Sequence, residues 1–383
     1  MSDVVRKTLP SGEPFIINYL HSKAREMGIP ASVSFEITSR CNFNCKMCYI
    51  HSEDCNKRAS EELTAEQWID IARQARDAGA VLVLITGGEP LMRKDFPQIF
   101  SSMKKMGLFV SINTNASLIT GEMAEFFKND PPARLNISLY GASNETYRRL
   151  CGGDYFDIVY KNIKNMVDSG IQVKLNMSIT PYNCGDLKDM LKIAADLGVQ
   201  SKVTTYMYPP VRRNDGLIGE NPARFTADEA AFWRAEYDVM RFGKEEFLKR
   251  ADELEKGCFN DCESCFDPSR ADGEQMQCRA GSSGCWVNYK GKMNACGMFS
   301  VGDYDVLDGG FQTCWEKVKR SAEAIKTPAE CVECSYKNLC PMCAAVCKSE
   351  TGEFNKISDY VCEFSKASKK YILELAERIK NEA

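Results

Sequence analysis

Short apolar segments alternate with helical segments from residue 32 to residue 206, and this rhythm constrains the fold more than any other feature. Strands that alternate with helices predict a parallel sheet with right-handed crossover connections. A closed eight-stranded barrel would need two more strand–helix units, and the sequence does not supply them. The six predicted strands are Val33–Thr38, Val81–Thr86, Leu108–Asn113, Leu135–Leu139, Val173–Ile179 and Lys202–Tyr206.

Predicted helices fill the connections between these strands. Thr64-Ala65-Glu66-Gln67 has the pattern of a capping box and predicts the start of the first connecting helix. An amphipathic helix over Phe15–Met27 precedes the first strand, and a terminal helix is predicted over Lys366–Ile379. The other predicted helices are Asp95–Met106, Gly121–Lys128, Asn144–Ser169, Leu187–Leu197, Ala227–Phe242 and Lys244–Lys256.

The composition is that of a globular protein, with 44% hydrophobic residues and a net charge of −4 over 383 residues. This charge predicts neither a nucleic-acid groove nor a polybasic membrane patch. The longest apolar run, Ala80–Ile85, is far shorter than the roughly 20 residues that cross a bilayer. Residues 1–12 lack the apolar stretch of a secretory signal, so we expect a cytoplasmic protein. In that compartment, 19 cysteines favour metal binding over disulfides.

The loop after the first predicted strand carries a Cys-x3-Cys-x2-Cys triplet, Cys41, Cys45 and Cys48. Cysteine thiolates are the usual ligands of iron–sulfur clusters, so three on one short loop can hold three irons of a [4Fe–4S] cluster. The fourth iron is then open to a small molecule. A structural zinc site is the alternative, but zinc needs four N or S ligands, and the histidines His21 and His51 offer little help.

The segment Thr86-Gly87-Gly88-Glu89-Pro90 follows the second predicted strand. Together with the triplet it resembles the radical S-adenosylmethionine (SAM) superfamily, in which the open iron chelates SAM and reduction releases a 5′-deoxyadenosyl radical. The resemblance implies an α/β fold, a curved and incomplete (β/α)6 barrel of the TIM type. It also implies that Gly87, Gly88 and Glu89 bind the ammonium group of SAM, and the glycines let backbone approach a ligand closely.

The resemblance points to three further residues at the SAM site. Asn113 opens a segment that resembles the third-strand segment facing the ribose, although Ala116 stands where the family usually has glycine. Ser138 resembles the fourth-strand serine that meets the SAM carboxylate or ribose, with an ordinary strand serine as the alternative. Tyr49 resembles an aromatic residue that packs near adenine, with loop packing as the alternative. These positions agree with strand–helix barrels, where reactive groups sit at the C-terminal strand ends.

Beyond residue 257 the chain is dense in cysteine, glycine and short turns, and the cysteine spacing resembles the SPASM extension of radical SAM enzymes. That extension holds two auxiliary [4Fe–4S] clusters, and a zinc-ribbon-like domain is the alternative. By resemblance, one cluster is held by Cys331, Cys334, Cys340 and Cys362. The other is held by Cys278, Cys296, which lies five residues after Gly291, and a cysteine beyond Cys340.

The sequence departs from the SPASM spacing at that last ligand, which the family pattern would put at Ala344. Cys343 and Cys347 are therefore both candidates, and Cys343 is preferred. The fourth ligand of this cluster is open between Cys285, an upstream cysteine and an open site that binds substrate. The upstream triplet consists of Cys258, Cys262 and Cys265. It is expected to supply auxiliary ligands or to hold an additional cluster, with free loop thiols as the alternative. Four other cysteines are expected to be plain buried residues: Cys55, Cys151, Cys184 and Cys314.

These patterns divide the chain into an N-terminal helical leader (1–31), a radical SAM partial barrel (32–210), a helical linker (211–257) and a SPASM domain with a terminal helix (258–383). The predicted function is hydrogen abstraction from a peptide or protein, leading to a crosslink, thioether, epimerisation or oxidation. An enzyme acting on a small molecule, such as a tetrapyrrole, is the alternative. A non-catalytic electron-transfer protein is the third hypothesis, and the SAM-site motifs argue against it.

The predicted partners follow from the same resemblance. Many peptide maturases carry an N-terminal winged-helix domain that binds a leader peptide, and the forty residues before Cys41 are too few for one. We therefore expect the leader to bind another surface or a separate partner, or not to exist. The expected reductant is a flavodoxin- or ferredoxin-type protein, and no catalytic acid, base or radical quencher is assigned.

Overall fold

The computed structural model describes residues 13–50, 59–257, 278–300 and 302–382. Two predictions about cysteines fall in the gaps: Cys55 and the upstream triplet, Cys258, Cys262 and Cys265, lie outside the described residues. The predicted start of the last domain, at residue 258, falls in the same gap. The domain boundaries therefore stay predictions.

The described strands form one nine-stranded sheet in the order β6-β5-β4-β3-β2-β1-β7-β8-β9. The first six are parallel to their neighbours and follow one another in chain order across the sheet. They are β1 (Ser32–Glu36), β2 (Leu82–Thr86), β3 (Phe109–Thr114), β4 (Arg134–Ser138), β5 (Val173–Ser178) and β6 (Gln200–Thr204). This arrangement confirms the predicted α/β fold with a partial, six-stranded barrel.

The connecting helices agree with the prediction except at one place. The helix predicted over Asn144–Ser169 is wrong, because Gly152 adopts a left-handed conformation (φ 86°) that ends the first helix. The capping box is confirmed, since the Thr64 hydroxyl accepts from the Gln67 amide and the Gln67 side chain accepts from the Thr64 amide. The helices are α1 (Glu13–Met27), α2 (Ala65–Asp77), α3 (Phe96–Lys105), α4 (Gly121–Asn129), α5 (Asn144–Cys151), α6 (Phe156–Asp168) and α7 (Leu187–Asp196).

Burial alternates along the strands, so the barrel sheet has an apolar face and a polar face. The apolar face packs under the helices, as Phe35 does against Trp68 with ring centroids 5.5 Å apart. The opposite, inner face carries half-buried polar side chains, among them Asn113, Asn136 and Ser138. The polar residues singled out from the sequence on β3 and β4 therefore lie on the inner face of the barrel.

The C-terminal region continues the same sheet through β7 (Gly284–Val287), β8 (Lys292–Asn294) and β9 (Tyr304–Asp305). β7 is parallel to β1, and β7 and β8 form a hairpin around Gly291, whose φ of 76° suits glycine. This pairing puts the cysteine-rich region beside the strand that leads to the first cysteine triplet. The remaining helices are α8 (Ala227–Glu255), α9 (Val306–Gly309), α10 (Phe311–Glu323), α11 (Ala344–Thr351) and α12 (Asp359–Asn381).

The two long helices of this half pack against each other. Helix α8 is interrupted at Gly243 (φ 76°, ψ 162°), the position where the sequence predicted a break between two helices. Its second part packs Phe247 and Ala251 against Ile372 and Leu375 of α12 in a separate apolar cluster. Helix α12 begins earlier than predicted, so it includes Cys362. None of the helices in the described ranges combines the length and apolar character needed to cross a membrane.

Candidate active site

The loop that carries Cys41, Cys45 and Cys48 is fixed against the C-terminal end of helix α5. The main-chain amide of Asn44 donates to the carbonyl of Cys151 (3.0 Å), and that of Lys46 donates to the carbonyl of Leu150 (2.9 Å). The ring of Phe43, between the first two cysteines, is buried in the core. These contacts satisfy helix-terminal carbonyls and hold the loop in one conformation.

The three thiols of this loop are close enough for Cys45 and Cys48 to influence Cys41 electrostatically. Burial raises the pKa of Cys41 above its usual range, and the nearby Glu89 carboxylate and the Cys45 and Cys48 thiols add to the shift. The pKa of Cys45 is raised by a hydrogen bond with Cys151 and by burial. Iron binding would reverse these shifts, because a metal-bound thiol is deprotonated. In the part of the chain that is described, no three His, Cys, Asp or Glu side chains are grouped to hold a metal ion.

The Gly-Gly-Glu segment packs directly against the residues that precede Cys41. The amide of Gly88 donates to the carbonyl of Thr38 (2.9 Å), and the amide of Glu89 donates to the carbonyl of Arg40 (2.7 Å). A Cβ atom would lie 2.4 Å from the Thr38 carbonyl oxygen at Gly87 and 2.3 Å from the Arg40 carbonyl oxygen at Gly88. The glycines therefore permit the close approach of two loops of the protein.

The Glu89 carboxylate is fully buried and accepts three hydrogen bonds. Its donors are the amide of Leu91 (3.1 Å), the hydroxyl of Thr114 (2.9 Å) and the amide of Asn115 (2.7 Å). Burial raises the pKa of Glu89 to about 7, although these hydrogen bonds oppose the shift. The carboxylate thus ties the loop after β2 to the loop after β3. Its contact with the ammonium group of SAM stays a prediction.

Asn115 contacts the cysteine loop, and the sequence analysis did not select it. Its side-chain nitrogen donates to the Asn42 side chain (2.9 Å) and lies 4.0 Å from the Cys41 sulfur. Asn113, which was selected, accepts from the side chain of Asn136 (3.0 Å) on the inner face. Asn115 could have been selected from the sequence, because it belongs, like Asn113, to the segment that resembles the family's ribose-facing segment. Ser138 lies at the end of β4, next to Asn176 of β5.

Ala116, at the family's usual glycine position, has a left-handed backbone (φ 62°) and is fully buried. That conformation costs a non-glycine residue about 1–2 kcal/mol. Replacing Ala116 with glycine relieves this cost but loses a buried methyl group, worth about 0.8 kcal/mol. We expect A116G to change the free energy of unfolding by less than about 1 kcal/mol, as measured by chemical denaturation.

The matched control is Ala124→Gly, at a buried alanine inside helix α4. There glycine has no left-handed strain to relieve, so we expect a loss of about 1–2 kcal/mol. Equal destabilisation by the two substitutions would contradict the claim that the backbone at Ala116 is strained.

The C-terminal cysteines fall into two neighbouring groups. In the first, burial raises the pKa of Cys331 to about 12, and its thiol is influenced by three others. Cys362, in the first turns of helix α12, is one of these three neighbouring thiols. This group has the membership that the SPASM resemblance implies for one auxiliary cluster: Cys331, Cys334, Cys340 and Cys362.

The second group contains Cys278, Cys296 and Cys343. Burial raises the pKa of Cys296 to about 12, with contributions from the Cys278 and Cys343 thiols. Cys343 precedes the first residue of α11, whereas Cys347 is fully buried inside that helix. Cys285 is buried on β7, with the Cys314 thiol as its neighbour.

The described cysteines that were expected to be plain buried residues differ in their burial. Cys151 and Cys314 are buried, as predicted. Cys184 is only half-buried, because it lies in a single 3-10 turn after β5. Burial of that thiol was therefore a wrong prediction.

A buried ion pair joins the barrel to the second cysteine group. Glu36, at the end of β1, is fully buried and accepts two hydrogen bonds of 2.9 Å from the Arg212 guanidinium. The Trp286 indole of β7 donates to the same carboxylate (2.9 Å). Arg212 also donates to the carbonyl of Gly297 (2.7 Å), next to Cys296. The sequence analysis missed this network, although a glutamate inside the predicted strand Val33–Thr38 was a usable signal.

Tyr49 lies beside the ion pair of Glu36 and Arg212. Burial raises the pKa of Tyr49, and its ionisable neighbours are Arg212, Glu36, Cys48 and Cys296. A cavity of about 230 Å³ adjoins the ring and is lined by Ser34, Tyr49, Arg279, Trp286, Cys296 and Met298, among others. The structure thus brings Tyr49 next to the second cysteine group, and its predicted packing against adenine stays a prediction.

Comparison with known proteins matches residues 35–194 to the radical SAM superfamily. The chain is 23% identical over 347 residues to the AdoMet-dependent heme synthase of Methanosarcina barkeri, covering 86% of this chain and 96% of the relative. It is 32% identical over 175 residues to a probable GTP 3′,8-cyclase of Saccharolobus solfataricus, covering 45% of this chain. That match spans about half of the cyclase, 56% of its length.

Two solved structures share the fold. SuiB of Streptococcus suis with bound S-adenosylmethionine aligns with a TM-score of 0.63 at 17% identity, covering 89% of this chain and 78% of SuiB. The peptide-bound anSMEcpe with AdoMet aligns with a TM-score of 0.66 at 16% identity, covering 92% of this chain and 100% of anSMEcpe. Residues 35–194 of this chain therefore form a radical SAM domain, in which the cysteine loop is held against the Gly-Gly-Glu segment.

Proposed function

We propose that this enzyme cleaves SAM reductively to a 5′-deoxyadenosyl radical and abstracts hydrogen from a peptide or protein substrate. The observation that carries the proposal is the pair of main-chain hydrogen bonds joining Gly88 and Glu89 to the segment before Cys41. These bonds hold the proposed SAM-binding segment and the proposed iron-binding loop in contact. A three-cysteine loop held against this segment fits a cluster with one open iron.

The residues of this site would have distinct tasks. The thiolates of Cys41, Cys45 and Cys48 would hold a [4Fe–4S] cluster, which when bound supplies the electron that cleaves SAM. Gly87, Gly88 and Glu89 would position the methionine end of SAM, and Asn113 and Ser138 would contact its ribose or carboxylate.

Glu89 would act through the loops that it ties together. Its carboxylate already accepts hydrogen bonds from Leu91, Thr114 and Asn115, so it holds the SAM-binding segment against the loop after β3. Asn115 in turn donates to Asn42 inside the cysteine loop. The geometry of the reacting groups would therefore depend on these buried polar contacts.

We further propose that the two C-terminal cysteine groups hold two auxiliary [4Fe–4S] clusters. The first group supplies four thiols, enough for a fully ligated cluster. In the second group, the neighbours of Cys296 favour Cys343 over Cys347.

A peptide substrate is favoured by the extent of the shared fold, which covers all of the peptide-bound anSMEcpe chain. SuiB has also been seen with its precursor peptide SuiA. A leader-binding partner and a flavodoxin- or ferredoxin-type reductant belong to the same proposal.

A small-molecule substrate is the second candidate, favoured by the heme synthase relatives that match along most of their length.

Iron and sulfide per chain after anaerobic reconstitution test the cluster proposal. We expect about 12 of each for three clusters of four irons. In a Cys331→Ala/Cys334→Ala variant we expect about 8, with formation of 5′-deoxyadenosine from SAM and dithionite retained. About 4 irons with bound zinc would contradict the auxiliary clusters, and failure to form 5′-deoxyadenosine would contradict the proposed SAM chemistry.

The substrate is tested by mass spectrometry of reactions with the reduced enzyme and SAM. One set contains peptides encoded beside the gene, and the other contains tetrapyrrole carboxylates. A mass change in a peptide supports the first candidate, and a change confined to the tetrapyrroles replaces it with the second.

A further inference from the structure

Tyr208 occupies the space between the barrel and the second cysteine group. Its hydroxyl lies 3.9 Å from the sulfur of Cys343, and Cys296 and Tyr49 are also among its neighbours. The residue belongs to the segment that leaves β6 and continues into Pro209. None of the proposed roles in SAM binding or iron ligation uses this tyrosine.

The position of the Tyr208 ring is fixed from two sides. The Tyr206 ring packs edge-on against it with centroids 5.0 Å apart at 78°. The side chain of Asn221 donates to the Tyr208 carbonyl (2.7 Å). Since both the ring and the main chain are held, the hydroxyl is directed to one place beside Cys343.

Protonation makes Tyr208 a donor in this contact. The ordinary pKa of a tyrosine phenol is about 10, well above neutral pH. The phenol therefore keeps its proton, while a cysteine that binds iron is a thiolate and can only accept.

We propose that the Tyr208 hydroxyl donates a hydrogen bond to the Cys343 thiolate of an auxiliary cluster and raises the reduction potential of that cluster. This inference rests on the proposed function, because it requires the second cysteine group to hold a cluster. Hydrogen bonds to cluster sulfurs are one of the protein's means of setting the potential. A donated hydrogen bond stabilises the more negative, reduced form of the cluster, so the reduction potential rises.

The test is Tyr208→Phe in the reconstituted full-length enzyme, with midpoint potentials from EPR-monitored redox titration. Phenylalanine keeps the ring and its packing but removes the donor. We expect the potential of one auxiliary cluster to shift to a more negative value, while iron content and the potentials of the other clusters stay unchanged.

The matched control is Tyr206→Phe. That tyrosine is buried two residues away, and its hydroxyl donates to the Glu350 carboxylate (2.6 Å) instead of to a cysteine. We expect Tyr206→Phe to leave the reduction potentials of all three clusters unchanged. Unchanged potentials in Tyr208→Phe at about 12 irons per chain would overturn this inference alone. About 4 irons per chain in the unmodified enzyme would overturn the proposed auxiliary clusters and this inference with them.

Discussion

Replacing Gly88 with alanine is expected to lower the rate of 5′-deoxyadenosine formation by about 100-fold or more. The added Cβ would lie 2.3 Å from the Arg40 carbonyl oxygen and 2.6 Å from the carbonyl carbon. Those atoms are main chain and cannot move aside as a flexible side chain would, so the two loops must separate. A displacement of about 1 Å at reacting groups can cost two orders of magnitude in rate.

The effect should be local to the SAM site. We expect G88A to keep its far-UV circular dichroism and the iron of the proposed auxiliary clusters, while SAM binding by equilibrium dialysis is strongly weakened. The matched control is Gly185→Ala, at a glycine where a Cβ would meet nothing within 4 Å. G185A should cleave SAM at the unmodified rate. Equal activity of the two variants would show that the close packing of Gly88 against Arg40 is unimportant for SAM cleavage.

The barrel strands could be predicted from the sequence to within two residues because their signal is local. Buried strands such as Leu82–Thr86 are apolar runs bounded by turns, and each pairs with neighbours that share this pattern. The long helix predicted after Ser143 failed for an equally local reason. The amphipathic pattern continues across Gly152, but the left-handed backbone there stops the helix.

The site was less predictable because its contacts join residues far apart in the chain. The cysteine spacing showed which residues to consider, but the hydrogen bonds of Glu89 to Thr114 and Asn115 depend on how two strand ends meet. The contact between Tyr208 and Cys343 spans 135 residues. No spacing rule predicts such a pair, since one residue follows β6 and the other directly precedes α11.

The ion pair of Glu36 and Arg212 gives the second large expected effect. Replacing Arg212 with methionine keeps most of the side-chain volume but leaves the fully buried Glu36 carboxylate with only the Trp286 indole among its present donors. Removing one partner of a buried pair typically costs about 3–5 kcal/mol. We expect R212M to lower the free energy of unfolding by about that amount, measured by urea denaturation of the apoprotein.

A second substitution separates the buried charge from the lost packing. If the unpaired carboxylate causes the loss, Glu36→Gln in the R212M background should restore part of the stability, because it removes the charge but keeps an acceptor for Trp286. The matched control is Lys164→Met, which breaks the exposed pair of Lys164 with Asp168 on α6 and should not change stability measurably. A double variant no more stable than R212M would assign the loss to packing.

The same pair should also affect iron content, because Arg212 holds the Gly297 carbonyl beside Cys296. We expect reconstituted R212M to bind about 8 irons instead of about 12, losing the cluster of the second cysteine group and keeping the other two. Retention of all 12 irons would show that Cys296 is positioned by its own hairpin. The buried pair would then serve to hold the barrel and the C-terminal region together, since it still connects β1 to β7 through Trp286.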